Sequence, residues 1–336
     1  MNLNEAKYSR FSLVTEMLET PNVVSNFDPK SVEPFLPFAR SGKILFSGEG
    51  SSRIFPAKNL IYSALKNRYP GAYLTEAATQ AMEYDLSDTA VFVASNSGKT
   101  KEGVALIRKL KGMGHSKVCG VVANPGTPIE QEADLRYVLS CGPEKAVAAT
   151  KSVVEQALFY EILFRTANGR AVPDLKRLGE AMREAMEKPI DSQIVDKLSN
   201  ASMLYWAGRN TGCAEELTLK SNEITRKKSD YLEGTYAVHG IEEVMSASDV
   251  VIVVSPFESE EAKFREVLEK GVGLSVFAIA DRRSAFPTLS VPSYPEFQSY
   301  IELAAGWNIL IEIGIKLGID LDKTERARKV GNEFVG

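Results

Sequence analysis

One pattern occurs twice in this 336-residue sequence and limits its fold more than any other feature. Four β-rich runs end in small polar residues or proline: KILFSGEG (43–50), AVFVASNSG (90–98), MLYWAGRN (203–210) and DVVIVVSP (249–256). Ile44 and Val91 are 47 residues apart, and so are Leu204 and Val251. Two strand pairs of equal spacing, offset by 160 residues, indicate a duplicated domain.

Helical patterns alternate with these runs. Val104, Ile107 and Leu110 recur at i, i+3 spacing and give the segment after the second run one apolar face. Such alternation predicts an α/β fold with two tandem domains, each a parallel sheet flanked by helices on both faces in a flavodoxin-like three-layer sandwich. We expect an N-terminal helical segment (1–40), a first domain (41–170), a helical connector (171–198), a second domain (199–318) and a tail (319–336).

Composition excludes several classes of partner. Forty Lys and Arg face 44 Asp and Glu, and a net charge of −4 makes nucleic acid an improbable main partner. The most apolar stretch, Ile301 to Ile315, contains charged residues, so we expect no membrane span, and the N-terminus lacks a signal-peptide pattern. Cys119, Cys141 and Cys213 are odd in number and scattered, which is typical of reduced thiols in a cytoplasmic protein.

Three loops at predicted strand ends carry small polar residues. They are Gly48–Ser52, Ser95–Thr100 and Gly142–Lys151. Ligands of open parallel sheets bind at this edge, and hydroxyls with free N–H groups at a helix N-terminus suit a phosphate. The alternative is that these hydroxyls only cap helices.

Two other phosphate motifs do not fit the sequence. Thr150 precedes Lys151 where a Walker loop needs glycine, and Arg53 occupies the third position of a dinucleotide fingerprint. The corresponding loop of the second domain, SPFESE (255–260), has acids in place of the hydroxyl cluster. We therefore expect one phosphate site, in the first domain, and no nucleotide cofactor.

Few residues are candidates for acid–base chemistry. His115 lies in a turn and is interpreted as a solvated loop residue, whereas His239 precedes a glycine and titrates near neutrality when unperturbed. Glu223 follows Lys220 at i, i+3 on a predicted helix, close enough for the lysine to modulate the carboxylate. A capping histidine and a solvated ion pair are the structural alternatives. No cluster has metal-ligand spacing, so no metal is expected.

Taken together, the motifs resemble those of the sugar isomerase (SIS) family. The matching segments are GEGSS, SNSGKT, GPEKAVAATK, GRNTGCAEELTLKSNE, AVHG and RARKV, which span nearly the whole chain. The resemblance is to the double-SIS proteins, including the isomerase half of glucosamine–fructose-6-phosphate aminotransferase. It implies that the two predicted domains are SIS domains.

The resemblance also implies a role for particular residues in substrate binding. Ser95, Asn96, Ser97 and Thr100, with Ser52, match residues that bind the sugar phosphate. Gly50, Ser51, Val147 and Ala148 match residues of the sugar pocket.

Catalytic roles follow from the same resemblance. Glu223 matches a glutamate that moves a proton between C1 and C2 of an open-chain sugar, and His239 matches the ring-opening acid–base residue, which in the synthase comes from a neighbouring subunit. Lys220 matches a lysine that assists the glutamate, and Lys329 matches a C-terminal lysine that engages the substrate carbonyl. A homodimer with active sites near its interface is expected.

Departures from the family pattern leave the substrate open. Ala149 stands where the synthase has a sugar-contacting serine, Ile241 stands in place of a proline, and Tyr236 stands in place of a glutamate. In addition, no N-terminal cysteine or glutaminase domain precedes residue 40. We expect an isomerase or deaminase acting on a ketose or aminodeoxy-hexose 6-phosphate, and not glutamine-dependent synthesis. The alternatives are a fructosamine-6-phosphate deglycase and a non-catalytic phosphosugar-binding regulator.

Overall fold

The computed structural model describes residues 1–326, 333 and 334, and its strands form two parallel sheets. The first sheet contains β1 (Lys43–Gly48), β2 (Ala72–Glu76), β3 (Ala90–Ser95), β4 (Val118–Val122) and β5 (Leu135–Val138). The second contains β6 (Leu204–Gly208), β7 (Ser229–Glu233), β8 (Val250–Val254), β9 (Ser275–Ala280) and β10 (Thr288–Ser290).

The two sheets have the same topology. Their orders are β2-β1-β3-β4-β5 and β7-β6-β8-β9-β10, with parallel pairing throughout. Ile44 pairs with Ala90 and Leu204 pairs with Val250, so the partners are 46 residues apart in both sheets. The predicted α/β fold with two parallel sheets is confirmed.

Helices cover the sheets and connect their strands. They are α1 (Ala6–Ser9), α2 (Ser12–Ser25), α3 (Leu36–Ala39), α4 (Ile54–Asn67), α5 (Ala78–Ala81), α6 (Lys101–Gly112), α7 (Pro128–Glu132), α8 (Lys151–Ala167), α9 (Leu175–Glu187), α10 (Ser192–Asn200), α11 (Cys213–Lys220), α12 (Glu261–Phe264) and α13 (Gln298–Lys316). Short 3₁₀ turns occupy Pro29–Phe35, Gly50–Ser52, Tyr236–Val238, Ile241–Val244 and Glu258–Glu260. Ser221–Thr225 and Arg265–Val272 are π-helical.

The first sheet buries both of its faces. Side chains alternate along each strand, so Leu45 joins the cluster containing the predicted apolar face of α6. The next residue, Phe46, points to the opposite face, where its ring lies 5.5 Å from Phe92 and 4.7 Å from Tyr160 of α8. Burial on both faces explains why β1 and β3 are continuous apolar runs.

The second sheet follows the same alternation. Tyr205 and Val251 join the buried cluster that includes Phe264 of α12. Trp206 is fully buried, and its indole N–H donates to the hydroxyl of Ser221, just beyond α11, at 2.7 Å. The side chains of β6 are therefore buried on both faces of the second sheet.

The chain divides into two compact units. The first unit comprises Asn22–Glu144, Ala149–Leu175 and the described residues from Arg326 onward, and contains β1–β5. The second unit comprises Met1–Pro21, Lys145–Ala148 and Lys176–Glu325, and contains β6–β10. No helix in the described part of the chain combines the length and apolar character needed to cross a bilayer.

A glycine at the end of the first strand of each sheet permits a close approach of the backbone. A Cβ atom on Gly48 would lie 2.8 Å from the carbonyl oxygen of Ala94, and one on Gly208 would lie 2.5 Å from that of Val254. Since real Cβ atoms essentially never come this close to backbone, neither position accommodates a side chain without displacing the neighbouring strand.

We expect Gly48→Ala to destabilise the first unit by about 1–3 kcal/mol, the usual range for overpacking a close-packed interior. Gly42→Ala is the matched control, because a Cβ atom there meets nothing within 4 Å. Differential scanning calorimetry of both variants would test this. Equal melting temperatures for the two variants would contradict the predicted steric role.

Candidate functional site

The loop between β3 and α6 is organised by its own hydroxyl groups. Ser95 Oγ lies 2.7 Å from Thr100 Oγ1 and 3.3 Å from Ser97 Oγ, and it accepts a hydrogen bond from the amide N–H of Gly98 at 3.0 Å. Gly98 has φ +67°, and a Cβ atom there would lie 2.0 Å from Thr127 Oγ1. The predicted residues Ser95, Ser97 and Thr100 therefore converge on one compact loop at the N-terminus of α6.

Asn96 is held by a second buried segment of the first unit. Its amide group donates to Glu144 Oε2 and to Ser152 Oγ, both at 2.8 Å. Glu144 Oε1 accepts from the amide N–H of Thr150 at 2.7 Å and from its hydroxyl at 3.0 Å. Because its side-chain amide is engaged in these bonds, Asn96 positions the loop, and Glu144 anchors it.

The loop after β1 carries the other predicted phosphate residue. Ser52 ends a 3₁₀ turn that begins at Gly50, and its carbonyl oxygen accepts from the side-chain amide of Gln156 at 2.6 Å. The next residue is Arg53, whose Nε is buried with no hydrogen-bond partner among the described residues. Ser51 is buried and Gly50 is exposed, so this turn presents backbone more than side chain to solvent.

The segment of Val147 and Ala148 belongs to the second unit, where a buried carboxylate holds it. Glu16 of α2 is 5% exposed and accepts hydrogen bonds from the amide N–H groups of Lys145 and Ala146. Ala148 is buried, whereas Val147 is half-buried. This carboxylate therefore fixes the backbone that leads into the predicted sugar-pocket residues.

The predicted catalytic pair lies at the end of α11 in the second unit. Lys220 is fully buried, and its Nζ lies 2.7 Å from Glu223 Oε2 and 3.4 Å from Glu216 Oε1. Glu223 lies on the π-helical turn Ser221–Thr225, and its side chain is 24% exposed. The ammonium group of Lys220 is fully buried between two carboxylates. It is therefore not part of a solvated ion pair, which was the structural alternative for this lysine and Glu223.

The two carboxylates keep Lys220 charged. Burial acts to lower the pKa of Lys220, but the charges of Glu223 and Glu216, and hydrogen bonds to both, raise it more. The net pKa therefore lies above the ordinary lysine value. Because the pKa of Lys220 is raised on folding, its ionised form contributes stability at neutral pH, and this contribution is lost as the pH rises through the raised pKa.

Side-chain hydrogen bonds accompany the π-helical turn. Ser221 accepts the indole N–H of Trp206 and donates to the carbonyl of Leu217 at 2.8 Å, while Thr225 Oγ1 donates to the carbonyl of Ser221 at 2.6 Å. Arg226 ends the turn in the left-handed conformation, with φ +55°. Single π turns within helices are frequent at functional sites, because they redirect one side chain.

The two remaining predicted catalytic residues are placed differently. His239 is exposed and ends the 3₁₀ turn Tyr236–Val238. Lys329 lies outside the described residues. Within the described part of the chain, no group of three or more His, Cys, Asp or Glu is arranged to hold a metal ion.

Sequence reasoning did not identify the buried carboxylates that organise these segments. Glu144 lies inside the GPEKAVAATK motif, but the motif alone assigns it no role, and no motif singles out Glu16 or Glu216. The i, i+4, i+7 spacing of Glu216, Lys220 and Glu223 was a signal available in the sequence. Nothing local in the sequence indicates that Glu16 contacts Lys145, since 129 residues separate them.

Comparisons with known proteins show which sequences and folds this chain resembles. Residues 38–165 match the SIS domain family. The glutamine–fructose-6-phosphate aminotransferase (isomerizing) of Aeropyrum pernix is 26% identical over 310 residues, which cover 82% of this chain and 48% of that protein. The chain thus spans about half the length of this relative.

Solved structures share the fold along nearly the whole chain. The C-terminal domain of glucosamine-fructose-6-phosphate aminotransferase from Francisella tularensis has a TM-score of 0.79 at 17% identity, covering 94% of this chain and 98% of that one. Glucosamine-6-phosphate deaminase from Thermotoga maritima has a TM-score of 0.73 at 19% identity, covering 94% and 99%. Residues 38–165 thus match a SIS domain, and the solved structures show that the chain shares its fold with these two proteins. The family match covers the first sheet, and a second SIS domain stays a prediction.

Replacing Lys220 by methionine should strongly destabilise the second unit. Breaking a buried ion pair by removing one partner costs about 3–5 kcal/mol, because Glu216 would keep an uncompensated buried charge. Urea unfolding followed by the fluorescence of Trp206 and Trp307, both buried in the second unit, would measure the loss. The double variant Lys220→Met/Glu216→Gln should recover much of the stability. A double variant no more stable than Lys220→Met would contradict the assigned pairing.

Proposed function

We propose that this SIS-domain protein is an enzyme that acts on a ketose or aminodeoxy-hexose 6-phosphate and transfers a proton between C1 and C2. The observation that carries the proposal is the Glu223 carboxylate, partly exposed on a π-helical turn and hydrogen-bonded to the buried ammonium of Lys220. A carboxylate held in this way is suited to accept a proton and to return it.

The loop after β3 supports the assignment of a phosphorylated substrate. Ser95, Ser97 and Thr100 place three hydroxyl groups at the N-terminus of a twelve-residue helix, where the helix dipole favours an anion. Glu144 and Asn96 keep the loop in position through hydrogen bonds that do not involve the ligand. Binding the phosphate, which is remote from the reacting carbons, would orient C1 and C2.

The proposed reaction moves one proton between two neighbouring carbons of the substrate. Glu223 removes the proton from the carbon next to the carbonyl and delivers it to the neighbouring carbon, so an aldose and a ketose interconvert. With an aminodeoxy substrate the same transfer gives an imine, and addition of water then releases the amine. Lys220 holds Oε2 of Glu223, and we assign the proton transfer to Oε1. Such a positioned acid–base group contributes about 10²–10⁴-fold to the rate.

The regulator alternative is less well supported. A protein that only senses a phosphosugar needs the phosphate loop, but it has no need of a charged lysine buried between two carboxylates. Burying charge is costly, and strongly perturbed ionisable groups cluster at catalytic sites. The relation to isomerases and deaminases points the same way.

We also propose a cytoplasmic homodimer in which His239 serves the neighbouring chain. His239 is exposed on its own unit, so its imidazole is available to a second copy. Reduced cysteines support the location. The histidine would act as the ring-opening acid or base, since imidazole is a common general acid and base in catalysis.

Deuterium exchange tests the proton transfer directly. The protein is incubated in D₂O with fructose 6-phosphate, glucosamine 6-phosphate or a fructosamine 6-phosphate, and each sample is followed by proton NMR. At least one of the three substrates should either take up deuterium at C1 or C2 or release free amine. Glu223→Gln should lower this rate by about 10²-fold or more. Glu243→Gln, an exposed carboxylate of the same unit, is the control and should exchange at the wild-type rate. Phosphosugar binding without exchange in any sample would favour the regulator.

Mixed dimers test the sharing of His239. Chains carrying Glu223→Gln and chains carrying His239→Ala are each expected to be inactive alone. After mixing and reassociation, about one quarter of the wild-type activity should return, because half of the dimers are mixed and each holds one intact site. No recovery, with mixed dimers verified by mass spectrometry, would mean that His239 serves its own chain.

A further inference from the structure

A cavity of about 240 Å³ lies within the second unit, beside the edge strand β10. Its walls come from α10 and the segment before it, from β8, β9 and β10, and from α13. Most of the lining is apolar, including Ile194, Leu198, Ile252, Phe277, Leu289 and Ile309. The cavity shares no residue with the proposed catalytic and phosphate-binding groups.

The registers of the two sheets identify the equivalent position in the first unit. The first and third strands pair at the same offset in both sheets. In each sheet, an edge-strand residue pairs two positions beyond the partner of the third-strand residue. Counted in this way, Ile252 is equivalent to Phe92, and Leu289 is equivalent to Tyr137.

Aromatic rings fill this position in the first unit. Tyr137 stacks on Phe159 of α8, with ring centroids 3.9 Å apart. Phe35 lies edge-on to both rings, at 5.7 and 5.1 Å, and Phe38 of α3 lies 6.3 Å from Phe92. Rings that the chain itself supplies therefore occupy this layer between the sheet and its helices.

The second unit has aliphatic side chains at the same place. Ile252 and Leu289 stand where the first sheet has Phe92 and Tyr137, and α10 contributes Ile194 and Leu198 to the lining. Among the described residues that line the cavity, Phe277 is the one aromatic side chain. Ile194 and Leu289 are only half-buried. The cavity is therefore the space that rings occupy in the first unit.

Size and polarity limit the occupant of this cavity. An apolar cavity of about 150 Å³ stays dry and binds benzene, since water finds too few polar partners there. Sites for drug-sized ligands have volumes of about 300–1,000 Å³. A cavity of about 240 Å³ lies between these sizes, so it suits one ring or a fused pair of rings.

The rim of the cavity disfavours charged ligands and peptide strands. Pro189, Asp191 and Pro287 are exposed parts of the lining, so the cavity opens to solvent. Lys188 and Asp191 bring opposite charges to the rim, which favours neither an anion nor a cation. A strand would add poorly at this edge, because β10 has three residues and the preceding Pro287 has no N–H to donate.

We propose that this cavity binds a small uncharged molecule that consists of one aromatic ring or a fused pair of rings. The ring would lie against Ile194, Ile252 and Leu289, where the first unit has aromatic side chains of its own. A polar substituent on the ring would reach solvent at the rim. This site is independent of the proposed proton transfer.

Calorimetric titration of the full chain tests the class of ligand. The probes are toluene, phenol and indole, with benzoate and benzylamine as charged molecules of similar size. At least one neutral probe should bind saturably and at least tenfold more tightly than either charged one, because an apolar cavity does not compensate the desolvation of a charge. No saturable binding of the neutral probes, or equal binding of a charged one, would overturn the proposal.

Variants that supply a ring test the location. Leu289→Tyr introduces the residue found at the equivalent position of the first sheet, and Ile194→Phe introduces a ring from α10. Each variant should weaken binding of the neutral probe at least tenfold, since the new ring takes up the space. Leu74→Tyr, at a leucine of the first unit that is 48% exposed, is the matched control and should bind as the wild type does.

A measurement on the unaltered protein locates the ligand independently of the variants. Intermolecular nuclear Overhauser effects should connect the bound ring with the δ1 methyl groups of Ile252 and Ile309, both of which line the cavity. Effects confined to methyl groups elsewhere in the chain would overturn the proposal. Undiminished binding in both Leu289→Tyr and Ile194→Phe would do the same.

Discussion

Parallel pairing of the first and third strands in each sheet is the constraint on which the rest of the structure depends. Since β1, β3, β6 and β8 are covered on both faces, polar side chains along them would be buried without partners. Chemistry-bearing residues are therefore confined to the loops and helix ends beyond the strands. The loop between β3 and α6 follows this rule.

Buried carboxylates provide the second level of organisation. Glu144 accepts from Asn96 and Thr150, Glu155 accepts from the amide N–H groups of Ser140 and Cys141 at 2.7 Å, and Glu16 accepts from the chain near Lys145. Each of these acceptors takes two or more hydrogen bonds from loop backbone or side chains. Charge-assisted bonds of this kind are stronger than neutral ones, so the loops are held in place before any ligand arrives.

The sequence predicts those parts of the fold in which apolar residues form continuous runs or recur at regular spacing. The runs that form β1, β3, β6 and β8 are predominantly apolar, and their matched spacing predicts the repeated topology. The edge strands β2 (AYLTE) and β7 (SDYLE) were not predicted, because they are half-exposed and mix polar with apolar residues. Edge strands pack on one side only, so their composition resembles that of loops.

The candidate site shows the same division. Local motifs brought Ser95, Ser97 and Thr100 together and paired Lys220 with Glu223, because each set lies within six residues. The π-helical turn depends on a hydrogen bond from Trp206, 15 residues away, and Glu144 reaches Asn96 across 48 residues. Pairings at that range depend on tertiary packing, which sequence periodicity does not encode.

The hydrogen bonds of Glu144 also bear on how a chain of this kind can diversify. Glu144 is hydrogen-bonded to Thr150 and to Ser152, so the two flanks of residues 145–149 are joined by bonds that no side chain of the span makes. Within the span, Glu16 accepts only from the backbone N–H groups of Lys145 and Ala146. Exchanging Val147, Ala148 or Ala149 leaves those bonds, and the contact with Asn96, unchanged. Evolution or design can therefore vary this short span separately from the loop between β3 and α6, so new substrates need not be acquired at the expense of the proposed phosphate binding.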